Sequence, residues 1–302
     1  MSQLHTLHRT SRRYGLNDCS TIPFGFNTAV LNWSSRIVAN GGVAPSHNTM
    51  VAVNNFYNGL AATPIMSKIK SLNCYAPDNL MACLTPLINT YGNDPWTNFN
   101  NNFKLEDLTV NGLMGNGGSA GSSTVKYLDT GVLGTNYSSD SICGLTVYAY
   151  TKGPGGDSNS CDAGYSDGYG TDSTVLSFYR GNTNTFEYCG YNLSDGACTF
   201  NSTDVGYLSG NRITNANECM YFANSSNAHT LVGNVVTTGT GTRGAHKIFV
   251  HAFNYWQGGE NWAASTSRIS FAAIHDGLTS SESATFFTLI DTMRRQMGGG
   301  YV

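Results

Sequence analysis

The sequence predicts a mainly β protein: an antiparallel sandwich with a C-terminal helix and a smaller α-containing region ahead of the strands. Three observations lead there. Charged residues make up 12% of the 302 residues, against roughly 25% in an ordinary soluble domain, and Gly, Asn, Ser and Thr take their place. Those residues serve turns and polar sheet faces better than long exposed helices. From Lys126 onward, short β-branched and aromatic runs alternate with Gly, Asn, Asp and Ser clusters, the pattern of a sandwich or barrel. Helical periodicity is confined to two places, one before residue 75 and one after residue 278. Hydrophobic residues at 40%, with aromatics at 12%, are enough to fill a core.

The elements follow in chain order. Residues 1–15, HTLHRTSRR within them, read as a basic arm carrying Arg9, Arg12 and Arg13 with no acid before Asp18. Phe24, Phe26 and Trp33 then sit among turn residues. Apolar area on a segment without regular structure needs burial against something. Arm and aromatics together are therefore expected to pack on neighbouring subunits. Ser46 caps a helix in which Met50, Val53, Tyr57 and Leu60 recur at three- and four-residue spacing. Pro64 opens a second short helix with Ile65, Ile69 and Leu72. GNDPWTNFNNNF, residues 92–103, is a polar loop with two embedded aromatics.

In the strand region, GLTVYAYT puts Leu145, Val147 and Ala149 on one face and Thr146, Tyr148 and Tyr150 on the other. KIFVHAFNYW reads as one continuous central strand, with Ile248, Val250, Ala252, Asn254 and Trp256 sharing a face. The last element is a helix over 280–297. Thr279 and Glu282 form its capping box, and Phe286, Leu289, Ile290, Met293 and Met297 form its apolar stripe. Arg294 and Arg295 complement the helix dipole in its last turn. The chain divides into an N-terminal arm and helical attachment region, 1–107, and a sandwich with its terminal helix, 108–302.

Composition and motifs exclude several kinds of function. The net charge of −3 gives no basic face for nucleic acid. No apolar run reaches the ~18–20 residues that span a bilayer. No apolar stretch follows the N-terminal basic residues as a secretory signal requires. The eight cysteines form no CxxC pair. Without an export signal they are expected to be free thiols, with Cys143 and Cys189 in strand patterns. No metal site or cofactor is expected.

The acids and histidines fall in no recognised catalytic pattern. A retaining glycosidase needs two carboxyl groups ~5–5.5 Å apart. None of Glu106, Glu187, Glu218, Glu260 and Glu282 has acidic neighbours two and five residues on. No GxSxG elbow is present, and His246, His251 and His275 are expected to be structural. GPGGDSNSCDAGYSDGYGTDS, residues 153–173, is read as a solvated loop. Its Tyr165 and Tyr169, with Asp162 and Asp167, form the candidate ligand site, because aromatics on polar loops offer large contact area at low entropic cost.

The ending SRISFAAIHDGLTSSESATFFTLIDTMRRQMG resembles the closing motif of concanavalin A-like (laminin G-like) jelly-roll domains of bacteriophage virion and tail proteins. There a strand of the form ISFASI leads through GDGLT into a capped terminal helix. Asp276, Gly277, Leu278 and Thr279 match, and His275 stands where a small residue is expected. Upstream, Lys126, Tyr127, Leu128, Asp129, Thr130 and Gly131 match the entry strand, so the likeness covers residues 108–298. WSSRIVANGG is similar to the N-terminal extension of such proteins. The resemblance implies a virion structural protein of the tail or capsid surface, assembled in the host cytoplasm with other virion subunits and as a homo-oligomer. It implies no enzyme, with a host-surface polysaccharide as candidate ligand. The competing expectations are a carbohydrate-active enzyme (hydrolase or lyase) on the same scaffold, and a bacterial surface adhesin.

Overall fold

The computed structural model describes residues 25–117, 123–139, 141–151, 159–166, 175–181, 185–190, 198–201, 205–214, 217–225, 228–236, 243–255, 260–262 and 264–300. Within them the chain forms two packed sheets, one backed by helices.

The helices form where the caps and stripes dictate. In α1 (Thr28–Ala39) the Asn27 side chain accepts from the Ala29 amide at 3.0 Å, and Val30, Trp33 and Ile37 are buried at helical spacing. In α2 (His47–Ala61) Ser46 caps as expected, and Met50, Val53 and Leu60 turn inward. Asn79 caps the short α3 (Leu80–Leu84). In α4 (Ser280–Gln296) the Thr279 hydroxyl accepts from the Glu282 amide, and Glu282 Oε2 accepts from the Thr279 amide at 2.8 Å. This is the reciprocal capping box read from the sequence.

The first sheet runs in the order Thr230–Val236, Asn217–Ala223, Gly206–Thr214, Cys143–Thr151, Arg268–His275, Ile69–Asn73, Ile88–Asn89, and Gly112–Met114 also joins Arg268–His275. The second runs Cys198–Asn201, Thr185–Gly190, Val175–Gly181, Asn159–Ser166, Lys247–Val250, Leu128–Leu133, Thr97–Asn98. Neighbours along both orders are antiparallel. Phe253–Tyr255 adds one parallel pairing to Asn159–Ser166. The antiparallel sandwich and its terminal helix are as the sequence predicts.

The faces sort as alternation requires. Leu145 and Val147 join Leu208, Met220 and Phe222 from the first sheet against Leu128, Val132, Ile248 and Val250 from the second. On the other side of the first sheet, Tyr148 and Phe271 meet α1, α2 and α4 through Trp33, Phe56, Phe286 and Ile290. Phe271 packs edge-on to both Phe56 and Phe286, at 5.9 and 5.6 Å between ring centres.

Four expectations change. The segment after Pro64 is a short 3₁₀ turn, Pro64–Lys68, and then the strand Ile69–Asn73. Every residue of that strand is buried, so it shows no alternation, and Ile65, Ile69 and Leu72 mimic a helical stripe. The boundary placed near residue 107 is no boundary of packing, because Ile69–Asn73 lies inside the first sheet and Thr97–Asn98 edges the second. KIFVHAFNYW is broken at His251, whose φ of +67° ends one strand before Phe253–Tyr255 begins. Ala252 then shares a cluster with Phe249 instead of Ile248. Trp256 lies outside the described residues.

The fourth concerns Arg294. Arg295 stays at the surface with Asp291, but Arg294 turns inward, 2% exposed. Its guanidinium sits 3.8 Å above the Tyr148 ring, and its three nitrogens have no hydrogen-bond partner among the described residues. Cation–π attraction offsets part of the cost of burying that charge. Arg294→Met, which keeps the stem and removes the charge, is expected to raise stability by about 1 kcal/mol. Arg294→Ala is expected to lower it by about 2–4 kcal/mol through the cavity it opens. Urea melts of the two variants against the parent check both signs.

Among the described residues, the thiols of Cys74, Cys83 and Cys219 are free. Among the described residues no helix is long and apolar enough to cross a membrane.

Candidate functional site

Of the candidate ligand residues read from the 153–173 segment, the two that are described do not lie in a solvated loop. Asp162 and Tyr165 lie on the strand Asn159–Ser166, both completely buried. Tyr165 is part of the inter-sheet core, and its hydroxyl accepts from the Gly244 amide at 3.1 Å. Gly134 leaves the room it needs, since a Cβ built there would lie 1.9 Å from the Tyr165 hydroxyl. Asp162 accepts from the Ser265 hydroxyl at 2.6 Å. Gly, Ser and Asp in that stretch suggest a turn, and pairing with neighbouring strands overrides them. Tyr169 and Asp167 lie outside the described residues, as do Arg9, Arg12, Arg13 and Phe24 of the arm. Of the remaining arm residues, Trp33 is fully buried in α1 and Phe26 is partly buried against the same core. Both pack on this chain's own helices and sheet, Trp33 completely.

Two of the three candidate histidines, His275 and His251, are built into the core. His275 is fully buried, with Nε2 2.8 Å from the Thr146 hydroxyl and Nδ1 2.8 Å from the Asp276 carbonyl. That carbonyl assigns the ring proton to Nδ1. His251 is also fully buried, between Tyr75 and Phe103, and neither ring nitrogen has a hydrogen-bond partner among the described residues. Burial pulls both pKa values down from 6.5 to about 4.

Several of the described carboxylates are engaged in ion pairs. Asp276 accepts from Lys70 at 2.9 Å and Glu282 from Lys68 at 2.7 Å. Asp129 accepts from Lys247 at 2.7 Å, Asp107 pairs with Lys126, and Glu218 faces Arg212 at 3.8 Å. These pairs join strands and helix ends to one another, which is structural work.

A different site emerges where α3 meets the edge of the second sheet. A cavity of about 510 Å³ opens there, within the ~300–1,000 Å³ span of small-ligand sites. Leu80, Met81 and Leu84 of α3 form one wall, with Pro95 and Trp96 beside them. Asn93, Asp94, Thr97, Asn98 and Asn101 supply the polar lining.

The segment that carries this lining is held at many points. The Thr90 and Tyr91 amides donate to the Lys70 carbonyl, at 2.9 and 3.1 Å, and the Asn93 amide donates to the Thr130 carbonyl at 2.7 Å. Trp96 donates its indole N–H to the Ser71 hydroxyl at 3.0 Å. Asn98 clamps Phe103, donating to its carbonyl at 2.9 Å and accepting from its amide at 3.0 Å. Asn100 and Asn101 take left-handed backbone conformations, φ +51° and +52°, which asparagine tolerates better than most residues. The Asn101 side chain is exposed and makes no hydrogen bond among the described residues.

Exposed aromatics stand at both ends of this segment, Tyr91 at 41% and Phe99 at 37%. Phe99 is the outer member of a stack of three rings. It lies 4.4 Å from Tyr127, which lies 4.6 Å from Phe249. The two inner rings are buried, so the outer one is held in place by packing. Sequence reading placed the aromatics and amides of residues 92–103 in one polar loop but gave them no role. The missing signal was the wall supplied by α3, remote in the sequence and only five residues long.

Comparison with known proteins adds only distant likenesses. No protein-family model matches the chain, and no curated protein matches it. Among solved structures, it is similar to the carbohydrate-binding module CBM40 of the Ruminococcus gnavus IT-sialidase bound to α2,6-sialyllactose. Identity is 12% and the TM-score 0.38, over 58% of this chain and 96% of that one. It is similar to domain 4 of AbnA, an extracellular arabinanase of Geobacillus stearothermophilus, in complex with arabinotriose. Identity is 13% and the TM-score 0.35, over 73% of this chain and 98% of that one. A mutant Trypanosoma rangeli sialidase matches at 14% identity and TM-score 0.44, over 81% of this chain and 38% of the sialidase. Likeness this remote assigns neither ligand nor activity.

Proposed function

We propose that the protein is a bacteriophage virion-surface protein whose β-sandwich presents the cavity beside α3 to a host-surface polysaccharide, binding it without cleaving it. The observation that carries the reading is the cavity's make-up. Side-chain amides and a hydroxyl line it beside the apolar side chains of α3, and the exposed, stacked Phe99 follows Asn98 of that lining in the chain. Sugar rings present apolar faces and hydroxyl edges, and this arrangement offers a partner to each. The virion context comes from the resemblance of residues 108–298 to phage jelly-roll domains. The engagement of Asp107, Asp129, Asp276 and Glu282 in ion pairs supports binding over hydrolysis.

The test is a microbial glycan array probed with the full chain and with Phe99→Ala, together with mass spectrometry of purified particles. At least one bacterial surface glycan is expected to bind, Phe99→Ala to bind about tenfold more weakly, and the chain to be found in the particle. Binding that Phe99→Ala leaves unchanged would remove the cavity from the reading, and glycan turnover would replace it with the enzyme alternative.

A further inference from the structure

We infer that the cavity selects uncharged glycans, and that the ion pair between Arg36 and Asp94 at its margin sets this preference. The inference rests on the glycan-binding reading above and names the class of sugar. An acidic saccharide, carrying a uronate, sialate or phosphate group, needs a cation free to pair with it. Asp94 lines the cavity, and its carboxylate takes the Arg36 guanidinium. Arg36 is engaged beyond that pair, donating through Nη2 to the Pro86 carbonyl at 2.9 Å and the Leu87 carbonyl at 3.2 Å. The guanidinium is thereby held on α1 and on the chain leaving α3, with its charge cancelled where the cavity begins.

The rest of the polar lining is uncharged: Asn93, Thr97, Asn98 and Asn101. A carboxamide both donates and accepts, which matches a sugar hydroxyl and gives an anion no net attraction. An anionic sugar would also meet the Asp94 carboxylate. Selectivity therefore arises from cancelled charge at the margin and neutral donors within.

The experiment uses the full chain on a microbial glycan array sorted into uncharged and acidic members, with Asn101→Ala to identify binding through the cavity. The parent is expected to bind uncharged members only, and Asn101→Ala to weaken that binding. Asp94→Asn keeps the side-chain shape and releases Arg36. It is expected to retain uncharged glycans and to gain acidic ones by about tenfold, a gain that fades in high salt. Acidic glycans bound by the parent, with that binding lost in Asn101→Ala, would overturn the inference and leave the glycan-binding reading standing. A folded Asp94→Asn that still binds uncharged glycans and gains no acidic ones would overturn the role of the ion pair. Failure of the parent to bind any array member would end both readings. The comparison on the parent chain needs no variant to fold.

Discussion

Lowering the pH from 7 to 4 is expected to cost the fold about 6 kcal/mol, close to the whole stability of many domains. Two buried histidines supply the loss. His275 is packed under Phe286 beside Thr146, with Asp276, Lys68 and Glu282 around it. His251 lies between Tyr75 and Phe103, with Asp162, Asp107 and Arg268 as the charged groups acting on it. Burial holds both near a pKa of about 4 in the folded chain, against 6.5 for an ordinary histidine. Between pH 6.5 and 4 the unfolded chain therefore binds more protons than the folded one. Stability falls as the pH falls, by about 1.4 kcal/mol per pH unit for each histidine, and the loss from these two tapers off as the pH passes below about 4. Urea melts at pH 7, 5.5 and 4.5 measure the slope. His251→Asn, chosen because asparagine accepts the positive φ, should halve it. A stability that is flat over this range would mean that the two rings are protonated or solvated in the folded state.

Trp33→Ala should cost about 3–5 kcal/mol of stability, the range for deleting a large buried aromatic. The indole is fully buried between α1 and the first sheet, and its N–H donates to the Thr85 carbonyl at 3.0 Å. Trp33→Phe should recover most of the loss, leaving about 1 kcal/mol for the missing hydrogen bond. The alternative, that Trp33 serves assembly, predicts the opposite pattern: an unchanged urea midpoint, with altered sedimentation of the assembled protein.

Trp33 also shows where sequence reading stops. Signals that close within one turn of chain were legible. The Thr279–Glu282 box, the stripe of α4 and the Ser46 cap each involve residues three or four apart. Alternation in Cys143–Thr151 was legible because that strand packs a different core on each face. Ile69–Asn73 was not, since burial on every side erases the period of two. Asp162 and Tyr165 were misplaced because their neighbours favour turns and only the flanking strands hold them straight. The cavity was invisible for a related reason. Its amides lie in one stretch, but the wall that makes them a cavity, and the arginine that neutralises its margin, come from elsewhere in the chain.

The place of Arg268–His275 in the first sheet has a consequence for synthesis. It lies between Cys143–Thr151 and Ile69–Asn73, and Ile69 pairs with His275. At ~5–20 residues per second, a ribosome makes the second of these partners on the order of 10–40 s after the first. Throughout that interval a strand that ends up fully buried waits without this neighbour, and the sheet that α1, α2 and α4 cover has a gap at its centre. Two-state collapse of this sheet cannot begin at the N-terminal side and spread. It must wait for residue 275 to emerge, and until then the exposed edges of Ile69–Asn73 and Cys143–Thr151 are open to chaperones and to other nascent copies.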